Sequence, residues 1–204
     1  FASILTAGLL VPTFISQTPM NFAGNIIALV YLLALSTFFL MLAGLDAGSA
    51  FGGMGSSRSA ILASLTEPAM MLAIFAIALT NGSTNVSTIV HKTALLEGIV
   101  TDPSPHLMAL AALFIVALAE TGRVPVDNPA THLELTMIHE AMLLEYSGRY
   151  LALLEWAAGL KLAVFLSLIA NVFAPWGIAT TVTPAAMGIG LLVYVMKTAT
   201  LAVV

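Results

Sequence analysis

Ionisable side chains gather in one stretch of an otherwise apolar chain. Residues 119–149, AETGRVPVDNPATHLELTMIHEAMLLEYSGR, hold five of the ten acidic residues, two of the four histidines and two of the three arginines. Crowded carboxylates raise one another's proton affinity and share protons, and histidine exchanges protons near neutral pH. The set Glu120, Asp127, Glu134, Glu140, Glu145 and Glu155, interleaved with His132 and His139, therefore suits a proton relay or a chamber for an oxygen-bearing ligand. A solvated polar loop is the plainer alternative. Metal chemistry is poorly served: HEAML places Leu143 where an HExxH site needs its second histidine, and no third ligand stands at a recognised spacing. Ser147, in YSGR, lacks the glycine-flanked elbow of a hydrolase nucleophile. With no cysteine in the chain, disulfides, thiolate metal sites and iron–sulfur clusters are excluded from it.

Three more charged residues lie in apolar surroundings, where a charge is costly unless it pairs or faces the protein interior. Glu67 in ASLTEPAMML precedes Pro68, which removes a helix donor and is expected to kink the axis beside it. Lys161 lies about 1.5 turns after Glu155, too far for a same-face pair, so a carboxylate on another helix is its expected partner. Lys197 is placed to snorkel.

The elements that position these groups follow from hydropathy. The 204 residues are 60% hydrophobic and 8% charged, with a mean hydropathy of +1.05, against about 45–50% apolar in soluble domains. A bilayer crossing needs about 20 apolar residues. Segments near 1–16, 25–43, 60–80, 106–121, 150–172 and 184–204 approach this length without the period-two alternation of a barrel. The expected fold is all-α, a polytopic transmembrane bundle forming a single membrane domain over 1–204. Loops at 44–59 and 122–149 share one side and carry Arg58, Arg123 and Arg149. Lys92 stands alone opposite, so positive-inside bias makes the first side cytoplasmic or matrix-like. After Pro125 and Pro129, a helix through residues 128–146 is expected, with Asn128 as its cap. It would carry His132 and His139 on one face, lying re-entrant or interfacial. The chain begins and ends inside apolar runs, which suggests a fragment. The net charge of -4, with no basic patch, excludes nucleic-acid binding.

Two motifs resemble a known family. The 119–149 stretch is similar to the coupling loop of complex I subunit 1 and of its relatives in formate hydrogenlyase and membrane-bound group 4 nickel–iron hydrogenases. The matching positions are Ala119, Glu120, Arg123, Pro125, Asp127, Pro129, Glu134 and Glu145 to Gly148. GLDAGSAFGGMGSSRSAILASLTEPAMML, from Gly44, looks like the hydrogenlyase branch, matching at Gly44, Asp46, Gly48, Ser49, Phe51, Gly55, Arg58, Glu67 and Pro68. The resemblance implies a connector subunit with eight spans when intact, of which six would lie here. It would dock peripheral hydrogenase or iron–sulfur subunits, meet antiporter-like membrane subunits and start their proton path. Iron–sulfur clusters and the nickel–iron centre would sit on partners, in a prokaryotic inner membrane. By matching position, Glu67, Glu120, Asp127 and Glu134 would form the proton path, and spacing adds His139 and Glu140. Asp46, Arg58, Arg123 and Glu145 would line the chamber. Ala130 and His132 stand where complex I has further glutamates, and the stretch before Glu145 is three residues longer. Both departures fit the hydrogenase branch and weigh against quinone binding. Two alternatives stay open: the quinone-chamber subunit of an NADH:quinone oxidoreductase, and a stand-alone proton-coupled transporter.

Overall fold

A computed structural model describes residues 1–16, 24–95, 103–127, 137–179 and 183–203. Among these every regular element is helical: α1 (Ala2–Leu10), α2 (Ile26–Asp46), α3 (Ala50–Asn81), α4 (Val86–Ala94), α5 (Ser104–Glu120), α6 (His139–Leu143), α7 (Gly148–Phe173) and α8 (Pro184–Val203). Four of them, α2, α3, α7 and α8, are long and apolar enough to cross a membrane, and α5 is a shorter apolar helix of 17 residues. The chain is an integral membrane protein built as an all-helical bundle.

Local sequence sets the helix limits. The Asn25 side chain accepts from the Ile27 amide and starts α2. The Ser49 hydroxyl does the same for the Gly52 amide and starts α3. Gly82, in the left-handed conformation at φ 60°, closes α3. The expected span at 1–16 is shorter than its apolar run. Pro12 disfavours helical geometry at Val11, which is extended, so α1 ends after nine residues. That length is about 14 Å, half of a bilayer core. The freed backbone is taken up by the Asn171 amide, which donates to the Pro12 and Thr13 carbonyls at 2.6 and 2.7 Å.

The expected loop at 44–59 is also corrected. Only residues 47–49 separate α2 from α3, and the Gly- and Ser-rich run beyond them is helix. Gly52 and Gly55 within it, and Gly44 before it, serve close contact, whereas Gly53 faces open space. A Cβ on Gly44 would lie 2.5 Å from the Ser56 hydroxyl and 3.0 Å from Met142, and one on Gly55 would lie 3.0 Å from Ala141. Small residues let α2, α3 and α6 approach closely, which is how helices associate where lipid removes the hydrophobic drive. α4 is an element that hydropathy alone does not predict. Asn85 caps it, and Val86, Ile89, Val90 and Thr93 form its buried face. In the expected loop 122–149, α6 and the start of α7 are helical, and the expected helix through 128–146 appears only as the five residues of α6 among those described.

α3 is central, packing against α2, α4, α5 and α6, while α7 packs against α1, α4, α5 and α8. Leu33, Ile74, Ile77, Leu113, Phe165 and Leu168 are buried between them. Leu65, Leu72 and Leu79, at heptad spacing on α3, are 68%, 72% and 80% exposed, an apolar outer stripe suited to lipid or a partner helix.

Candidate functional site

α5 ends inside the bundle rather than at its edge, and its last residue is the carboxylate Glu120. Thr37 on α2, Thr66 on α3 and Lys161 on α7 close around it. The Lys161 ammonium donates to Glu120 Oε2 at 2.7 Å and to the Thr37 hydroxyl at 2.8 Å. Thr37 donates onward to the same carboxylate oxygen at 3.1 Å, and the Thr66 hydroxyl donates to Oε1. The Lys161 and Glu120 side chains are 10% and 5% exposed. Each partner makes the other's charge tolerable at this depth, and the threonines supply the dipoles that lipid cannot. Among the described residues this is the one salt bridge.

From Glu120 the chain turns sharply. Gly122 adopts φ 60°, and the Arg123 carbonyl accepts from the amides of Val126 and Asp127. The turn, which contains the cis Val124–Pro125 bond, is followed by Asp127, which faces back toward the pair. Asp127 Oδ2 accepts from the amides of Ile138 and His139 at 3.1 and 3.0 Å, tying this turn to the start of α6. Arg58 on α3 donates to the Met137 carbonyl at 3.3 Å from the other side. The Tyr146 hydroxyl anchors the far end of α6 to the Ala43 carbonyl of α2 at 2.9 Å.

Two cavities meet at the pair. One, of about 40 Å³, is walled by Ser59, Glu120, Gly122, Asp127, His139 and Lys161 among others. The second, of about 120 Å³, opens toward Phe1, Ser3, Phe39 and Leu154. Glu120, Thr37, His139 and Lys161 border both. His139 is held below its ordinary pKa, first by burial and then by the Lys161 charge, with Glu155, Asp127 and Glu140 opposing. It is therefore a neutral imidazole at pH 7, able to accept or donate on either ring nitrogen.

The residues expected on the proton path are thus partly brought together. Glu120, Asp127 and His139 share the cavity wall. Glu67, one residue beyond Thr66, is half-exposed on α3 and within electrostatic range of Glu120 and Lys161. Glu140 is exposed. Glu134 lies outside the described residues, as do Ala130 and His132. Of the four expected chamber residues, none borders the two cavities at the pair. Asp46 lies in an open groove beside Tyr146, Arg58 holds Met137, Arg123 borders a crevice between α5, α7 and α8, and Glu145 is exposed. Lys161 has the interhelical carboxylate partner its position called for. Sequence reasoning missed Thr37 and Thr66, whose signal was a hydroxyl within LALSTFF and ASLTEP. Lys197 reaches back to the Ala174 and Trp176 carbonyls and lies over the Trp176 ring.

Comparison with known proteins gives a consistent result. The NADH dehydrogenase family model matches residues 1–204. The chain is 37% identical over 196 residues to hydrogenase-4 component C of Escherichia coli K12, covering 96% of this chain and 60% of that protein. It is 34% identical to formate hydrogenlyase subunit 4 of the same organism, covering 95% and 62%. It is 33% identical over 144 residues to a subunit of the NADH-quinone oxidoreductase of Rhodobacter capsulatus, covering 69% and 40%. The chain thus spans about six-tenths of the length of the first two relatives.

Proposed function

The chain belongs to the NADH dehydrogenase subunit 1 family, and from that premise we propose that it is the membrane connector of an ion-translocating redox complex of the hydrogenase or formate hydrogenlyase type. In this role it anchors the peripheral arm and begins the proton path in a prokaryotic inner membrane. The observation that carries the proposal is the Glu120–Lys161 pair, buried inside a membrane bundle and bordering two cavities. Ionisable side chains among apolar helices are costly to place and mark candidate proton pathways, and here the cost is offset by the pairing itself and by the hydroxyls of Thr37 and Thr66. When chemistry in the peripheral arm changes the local field, Glu120 and Lys161 can exchange a proton, with Asp127 on the same cavity wall and Glu67 within electrostatic range; the family resemblance would add Glu134 to the same path. The electron carriers belong to partners: with no cysteine, this chain offers no thiolates for iron–sulfur or nickel–iron centres. Antiporter-like membrane subunits would receive the protons.

The test is Glu120→Gln in the intact complex, reconstituted in liposomes. Proton transport should be lost while electron transfer between soluble donors and acceptors persists. Unaltered transport would remove Glu120 from the path. The similarity to a chain of NADH-quinone oxidoreductase favours a second reading, in which this fold lines a quinone chamber. The cavity of about 120 Å³ beside the pair is small for such a ligand, whereas the crevice that Arg123 borders, of about 310 Å³, reaches the lower end of the roughly 300–1,000 Å³ typical of organic ligand sites. Inhibition of donor oxidation by a quinone-site inhibitor would favour the quinone reading, and insensitivity the hydrogenase-type complex.

A further inference from the structure

Asp127 is 5% exposed, yet only one of its carboxylate oxygens is used. Oδ2 accepts two backbone amides, whereas Oδ1 is buried with no hydrogen-bond partner among the described residues. A buried carboxylate oxygen left without a hydrogen bond bears its full desolvation cost. Lys161 presents the complementary surplus. An ammonium has three donors, and the structure accounts for two, to Glu120 and Thr37. Both side chains wall the same cavity of about 40 Å³, and a water requires only about 10–15 Å³ on this measure.

We infer that this cavity is a structural water site bridging Asp127 Oδ1 to the third N–H of Lys161, so that one ammonium is shared between Glu120 and Asp127. The inference deepens the coupling role proposed above and rests on it for its meaning, while its geometry stands independently. A cation shared in this way makes the two carboxylates compete. When Glu120 takes up a proton, Lys161 is released toward the water and Asp127. Among the described residues, Glu67 from α3 and His139 from α6 also face the pair, and Glu155 on α7 and Glu140 on α6 act electrostatically on His139. Asp127 thereby acts as a positioning residue, holding α6 with one oxygen and setting the location of the Lys161 charge with the other.

Two measurements on the full chain in its membrane complex test this. The first is a cryo-EM map at a resolution that shows ordered waters. Density for a water within hydrogen-bonding distance of both Asp127 Oδ1 and Lys161 Nζ supports the site, and a dry cavity or a water touching neither or one overturns it. The second is infrared difference spectroscopy. The carboxylate stretch of Asp127, identified by its loss in Asp127→Asn, should shift in Lys161→Gln and in heavy water. A band unmoved by both changes overturns the bridge. Asp127→Asn retains an oxygen for the α6 amides, and should Lys161→Gln fail to fold, the map of the unaltered chain decides. Loss of transport in Glu120→Gln with a dry cavity would leave the proposed function standing and remove the water bridge alone.

Discussion

The Glu120–Lys161 pair is a structural commitment as well as a chemical one. Its members are almost fully enclosed, so removing either charge strands the other in the bundle, a change that costs about 3–5 kcal/mol in buried pairs. Glu120→Leu and Lys161→Met should each destabilise the detergent-purified protein on that scale. The double variant should lose less than the two singly, because no orphan charge remains; thermal unfolding of the four species measures the coupling, and additive losses would show the pair to be energetically uncoupled. His139 gives a separate, pH-dependent signature. Its folded pKa lies below the ordinary value of 6.5, so between those two values the unfolded chain binds the proton and the folded chain does not. Stability should therefore be highest above about pH 6.5 and fall as the pH drops below it, by up to about 1.4 kcal/mol per pH unit. Comparing unfolding of the unaltered protein and His139→Gln from pH 8 to pH 5 isolates this slope. An unchanged slope in the variant would show that His139 is not the group titrating.

At the scale of elements, the site depends on a turn and a set of close helix contacts. Gly122 holds the left-handed conformation that swings the chain from α5 back to Asp127, and a Cβ there would also approach His139 at 3.6 Å. Gly122→Ala should cost about 1–2 kcal/mol from backbone strain, detectable as a lowered melting temperature. If that turn sets the site, the same change should also diminish transport, and Gly82→Ala, with similar φ but open space around it, should leave transport intact while lowering stability comparably. Gly55, pressed against α6, makes the contrasting case of contact without strain. These examples show what is legible in the sequence. Glu120, Asp127 and His139 are readable because charge in an apolar chain is conspicuous, and Lys161 is readable as a cation needing a carboxylate from another helix. That Glu120 is that partner is not readable, because it depends on how far α5 penetrates relative to α7. The run GLDAGSAFGGMGSSRS reads as a loop because glycine and serine mark both turns and close helix packing, and only the approach of α6 distinguishes them. Pro12 is visible, but the apolar run around it masks the helix end it imposes.

At the scale of the molecule, the ionisable groups are distributed unequally between the bundle's inside and its end. Glu120 and Lys161 are enclosed, Glu67 is half-exposed on α3, and Asp46, Arg123, Glu145 and Arg149 are exposed. The apolar surface of α3 at Leu65, Leu72 and Leu79 is outward too. Buried charge supplies places for a proton, but nothing in the bundle by itself supplies the energy to drive one in a single direction. A stand-alone transporter would have to draw that energy from a second substrate bound within this chain. A connector would draw it from redox chemistry in a docked partner. The two accounts separate cleanly when the purified chain alone is placed in liposomes carrying a trapped pH-sensitive dye and an imposed pH gradient. The connector role predicts no proton flux above that of protein-free vesicles, and flux restored only in the complex supplied with its electron donor. Substrate-dependent proton uptake by the chain alone, abolished by Glu120→Gln, would instead establish it as a transporter. Donor-driven flux by the complex that survives Glu120→Gln would show that protons enter by another route and leave the buried pair a structural role.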